Sequence, residues 1–121
     1  MSKVLRLNVE LVDADVIVCY GMKKYKKVLV KEYDCTVDDE LVAKFAGACT
    51  TVEAKDGGSV TIIGIDKGRS AASTERTIVH ELSHCVSDIM DIYGLDCDET
   101  RSYMLDKLYG DVMNWYRSEV L

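Results

Sequence analysis

The sequence predicts an α+β domain, with a small β-sheet in the N-terminal half and two long helices in the C-terminal half. Three observations carry this prediction. Residues 4 to 12 alternate apolar and polar side chains, residues 48 to 66 hold two β-prone runs around an Asp-Gly turn, and from about residue 73 the apolar positions recur every three or four residues. Strands gathered early and helices late, without regular alternation, indicate α+β architecture.

In VLRLNVELV, residues 4 to 12, Leu5, Leu7, Val9 and Leu11 fall on one side and Arg6, Asn8 and Glu10 on the other, the pattern of a half-buried strand. Asp13-Ala14-Asp15 supplies turn chemistry, and Val16 to Tyr20 is a continuous β-prone run, either a second strand or a buried extension of the first. Met22, Tyr25, Leu29 and Tyr33 recur at helical spacing among lysines and predict an amphipathic helix over 22 to 33, although Val28-Leu29-Val30 also suits a strand. Asp38-Asp39-Glu40 opens a short helix that Gly47 ends. ACTTVEA, the turn Lys55-Asp56-Gly57-Gly58 and SVTIIGID then form a hairpin. A loop at 67 to 72 leads into a long helix opening near Ser73 or Thr74 and stopping at Gly94. The last helix occupies 97 to 120, with Asp96 or Asp98 as its N-cap and Met104, Leu108, Val112 and Trp115 or Tyr116 on one stripe.

A length of 121 residues, with no repeat, linker or proline, fits a single domain over residues 1–121. No apolar run approaches a membrane span, and the first residues lack a signal-peptide pattern, so a cytoplasmic protein without membrane partners is expected, monomeric or a small homo-oligomer. A net charge of -6 argues against nucleic acid, and Lys23-Lys24-Tyr25-Lys26-Lys27 reads as a solvated helix face. The five cysteines, at 19, 35, 49, 85 and 97, form no Cys-x-x-Cys pair and read as free thiols.

The chemistry is concentrated in TIVHELSHCVSD, residues 77 to 88, which holds both histidines of the chain. On the helix from 74 to 93, Ile78, Leu82, Cys85, Val86, Ile89 and Tyr93 form the apolar stripe, and the histidines lie off it. His80 and His84 are about 40° apart around the axis and about 6 Å apart along it, so both imidazoles reach one ion. Glu81 sits too far round the axis to ligate the same ion comfortably, and instead flanks a water on the open metal position, whose proton it can take. That is the chemistry of peptide hydrolysis.

A third ligand is expected on the next helix. Gly94 reverses the chain, and Glu99, fifteen residues after His84, falls in the first turn of the following helix. Asp88 shares the histidine side, but it lies about 12 Å along the axis from His80, too far to close a shell with both histidines. Asp96, Asp98 and Asp106 are further acids in this region.

His80-Glu81-Leu82-Ser83-His84, followed by Gly94 and then by Glu99 within a helix, resembles the gluzincin type of zinc metallopeptidase, and is similar to short single-domain versions found in bacterial and phage genomes. The resemblance rests on residues 75 to 109 and implies a zincin-like fold. It also implies zinc held by His80, His84 and Glu99, and Glu81 as general base and acid on a peptide or protein substrate. Where larger gluzincins carry an acid four residues after the ligand glutamate, this chain has Tyr103, and it has no third histidine to stabilise an oxyanion. Tyr103, Arg101 and Tyr109 are the candidates for that role. The strand at 59 to 66 precedes the metal helix as the edge strand does in related peptidases, and reads either as that edge or as an interior strand. Arg69 and Arg76, near the mouth of such a cleft, either bind a carboxylate or stand solvated. The competing function is a non-catalytic zinc-binding protein that acts by binding a host or phage protein.

Overall fold

The computed structural model of the chain describes residues 3–42, 45–54 and 57–121. The elements are β1 (Val4–Val9), β2 (Ala14–Tyr20), α1 (Met22–Tyr33), α2 (Asp39–Val42), β3 (Gly47–Glu53), β4 (Ser59–Ile65), α3 (Ala71–Ile92) and α4 (Asp98–Trp115), with a π-helical stretch, Tyr116–Val120, closing the chain. They assemble a four-stranded mixed sheet in the order β1-β2-β4-β3. The pairs β1·β2 and β3·β4 are antiparallel hairpins, and β2 and β4 join them in parallel, Val16 opposite Thr61 and Val18 opposite Ile63.

Period-two alternation sorts the strand side chains onto two covered faces. Val16, Val18, Ile63 and Ile65 pack against Ile78, Leu82, Cys85, Val86 and Ile89 of α3 and Met104, Leu108 and Val112 of α4. Ile17, Cys19, Val60 and Ile62 face the other way, onto Tyr25, Val28 and Leu29 of α1. The result is three layers, α1, sheet, then α3 with α4, and it explains why β2 and β4 read as unbroken apolar runs: both of their faces are buried. At Gly64 the layers touch, since an added Cβ would come within 2.6 Å of the Tyr25 ring. Among the described residues, no helix is long and apolar enough to cross a membrane.

Several boundaries move from where the sequence put them. The first strand stops at Val9, because residues 10 to 13 form the turn into β2, leaving Leu11 exposed. Gly47 begins β3 instead of ending a helix, and of the expected turn at 55 to 58 the first two residues lie outside the described ones. Helix α3 starts at Ala71, ahead of the expected Ser73 or Thr74: the Ser70 hydroxyl accepts a hydrogen bond from the Ser73 N–H at 3.2 Å and caps it. The N-cap of α4 is Cys97, with Asp98 and Glu99 both in the first turn, where negative charge favours the helix dipole. Gly94, at φ 66°, ends the α3 segment as expected, with the Leu95 N–H returning to the Met90 carbonyl.

Candidate metal centre

The apolar stripe of α3 fixes its rotation, and that rotation decides where the motif points. With Ile78, Leu82, Cys85 and Ile89 against the sheet, His80 and His84 are turned to solvent and Glu81 is turned toward β3. The two Nε2 atoms stand 3.2 Å apart, with the rings edge to face. Two nitrogens bound to one tetrahedral zinc at about 2.0–2.1 Å are about 3.3 Å apart, so the pair suits a shared ion. The same separation also suits a hydrogen bond between two neutral tautomers, which makes the metal-free arrangement stable as well.

Glu81 is only 6% exposed, and its Oε1 lies 3.9 Å from His80 Nε2. Burial pushes its carboxyl above the usual range, with the two histidines pulling it partly back. What covers it is the start of β3. A Cβ on Gly47 would meet Thr77 Cγ2 at 2.6 Å and Glu81 Cγ at 3.1 Å, so only glycine lets the strand come this close to the helix. Gly47→Ala is expected to lower stability by about 1–3 kcal/mol, measured as a fall in the denaturation midpoint, through overpacking at this contact.

The raised carboxyl has a consequence for the metal-free chain. A group whose pKa is higher folded than unfolded supports the fold only while protonated, and that contribution is lost as pH rises through the folded-state pKa. Glu81→Gln should therefore raise the melting temperature of the chelator-treated protein at neutral pH. The gap to the parent should close on acidification below the normal carboxylate range; a variant less stable than the parent at neutral pH would contradict this.

Beyond Gly47 the edge strand continues over the site. In the register of the β3·β4 hairpin, the even-numbered residues of β3 bond to β4: Ala54 N–H reaches the Gly58 carbonyl and Asp66 N–H reaches the Ala46 carbonyl. The backbone groups of Gly47, Cys49 and Thr51 thus face the free edge. Of the two readings of residues 59 to 66, the interior strand is the one observed: β4 is buried along its whole length, and β3 forms the sheet edge on this side. An open groove of about 400 Å³ lies here, lined by Phe45, Gly47, Arg76, Thr77, His80 and Glu81 among others.

The expected third ligand is placed differently from the motif. Helix α4 does run back along α3, but it is Arg101 that faces it, donating from Nη2 to Ser87 Oγ at 2.9 Å. Glu99, two residues earlier and roughly 200° round the axis, is exposed on the solvent side. Among the described residues, no group of three His, Cys, Asp or Glu side chains is close enough to hold a metal ion. Asp88 is engaged elsewhere, accepting from Thr51 Oγ1 at 2.9 Å. Of the oxyanion candidates, Arg101 is held by Ser87, Tyr103 lines a separate groove between β1 and α4, and Tyr109 lies beside Arg76 and Val79. None of the three is in hydrogen-bond contact with His80, Glu81 or His84.

Two features of the site escaped the sequence reading: the burial of Glu81 and the role of Gly47 in bringing β3 onto it. The pairing of a β3-forming run with a glycine at its start was the available signal. Compared with known proteins, the chain matches no family model, no curated protein and no solved structure.

Proposed function

We propose that the chain is a small zincin-like zinc metallopeptidase that hydrolyses a peptide bond. The observation that carries this reading is the His80 and His84 Nε2 pair at 3.2 Å with the buried Glu81 carboxylate beside it, at the edge of an open groove. His80 and His84 would hold the ion, and Glu99, exposed and without a polar side-chain contact among the described residues, is proposed as third protein ligand because of the gluzincin resemblance. Zinc, when bound, polarises the scissile carbonyl and lowers the pKa of water.

The chain's own residues do the rest. An extended substrate adds to the free edge of β3, held by the backbone groups of Gly47 and Cys49, which fixes the scissile bond over the start of the motif. Glu81 Oε1 takes the proton of the attacking water and returns it to the leaving amine. Burial serves both transfers, since a carboxyl raised above its ordinary range by desolvation is a stronger base than an exposed one and closer to an acid. The test is incubation of the zinc-supplied chain with a mixed peptide library, reading cleavage by mass spectrometry. Chelator-sensitive cleavage supports the reading, and an unchanged library contradicts it.

A further inference from the structure

The chain has five arginines, and four are engaged: Arg6 with Glu32, Arg69 with Asp66, Arg117 with Glu75, and Arg101 with the Ser87 hydroxyl. Among the described residues, Arg76 has no hydrogen bond or ion pair, and it is the sole formal cation lining the His80 groove. It stands one helical turn before His80, on nearly the same face, about 6 Å along the axis. The chain as a whole carries a net charge of -6.

The direction of the edge strand says what would meet it. Gly47 abuts Thr77 and Glu81, while Thr51 bonds Asp88, so β3 runs in the same sense as α3. A peptide pairing antiparallel with β3, the more stable of the two pairings, runs the opposite way and carries its C-terminal part past Glu81 toward Arg76. At about 3.3 Å per extended residue, the guanidinium reaches the first or second residue after the scissile bond. Its planar fork matches a carboxylate bidentately.

We propose that Arg76 binds a carboxylate on the C-terminal side of the scissile bond, selecting peptides with an acidic side chain or a free chain terminus there. The selection rests on the peptidase reading of the groove, but its test need not use hydrolysis. The full chain, in excess chelator, is titrated by two-dimensional NMR with three N-acetylated alanine pentapeptides: one with a free C-terminus, one amidated, and one amidated with glutamate as its last residue.

At least one carboxylate peptide should bind about tenfold or more tightly than the neutral one, shifting amides near residues 73 to 81. Arg76→Gln should abolish the preference without changing the melting temperature, and Arg69→Gln, removing an arginine already paired, should keep it. Which carboxylate peptide wins tells a chain terminus from a side chain. Equal binding of the neutral peptide, a preference that survives Arg76→Gln, or no binding up to about 10 mM overturns the proposal. Because metal is chelated, a failure of cleavage leaves this result standing, and the reverse also holds.

Discussion

Replacing Glu81 with glutamine should reduce peptide hydrolysis by about 10²- to 10⁴-fold while leaving bound zinc unchanged. The two side chains have nearly the same volume, so the close contact with Gly47 and Thr77 persists. What is lost is the proton acceptor. Glutamine cannot take a proton from water, and at 6% exposure no bulk solvent group can replace it at that spot. The measurement is kcat on a cleaved library peptide together with zinc per chain for both proteins. Retained hydrolysis in the variant would remove Glu81 from the proton path, and loss of zinc would show that its role is structural. The expected higher stability of the metal-free variant at neutral pH is the counterpart of the same burial.

His84→Ala should abolish the stabilisation that zinc confers. Free metal at a hundred times its dissociation constant stabilises the folded state by about 2.7 kcal/mol. For a chain of this size that is a rise of roughly 10 °C in melting temperature. His84 is exposed, and its ring contacts His80, so the variant should lose little stability without metal, within about 0.5 kcal/mol of the chelated parent. Thermal scans of parent and variant, each with chelator and with added zinc, separate the two effects. A variant that still gains the full shift with zinc would place the ion elsewhere.

Much of the fold was legible because local and tertiary signals agree. The strand alternation around Leu5, Leu7 and Val9, the helical spacing of Tyr25 and Leu29, and the Ile78 to Ile89 stripe each fall on the face that is buried. The order of strands was not legible. That β2 and β4 lie side by side in parallel, with α1 across them, follows from which apolar faces can cover one another, a long-range matter that period-two patterning does not encode. Helix starts moved because a capping serine at Ser70, and Cys97 at the N-cap position of α4, take the places that the more conspicuous Ser73, Asp96 and Asp98 suggested.

The site was legible to the extent that it depends on one helix. His80 and His84 converge because i and i+4 always do. Glu99 depends on how α4 is rotated, and that is set by Met104, Leu108 and Val112 packing inward, which turns Arg101 to α3 and Glu99 to solvent. Which strand is the edge depends on sheet order, so the sequence left residues 59 to 66 open between edge and interior, and the edge is β3. Arg69 and Arg76 looked alike in sequence; the ion pair of Arg69 to Asp66 and the place of Arg76 in the His80 groove distinguish them.

Metal bound per chain measures the proposed site most directly. Purified protein dialysed against zinc should hold close to one ion per chain, with His80→Ala and His84→Ala each losing it and Glu99→Ala reporting whether the third ligand comes from α4. No zinc bound by the parent when zinc is supplied would contradict the proposed metal site and leave His80 and His84 as a hydrogen-bonded pair on the surface of a small α+β protein.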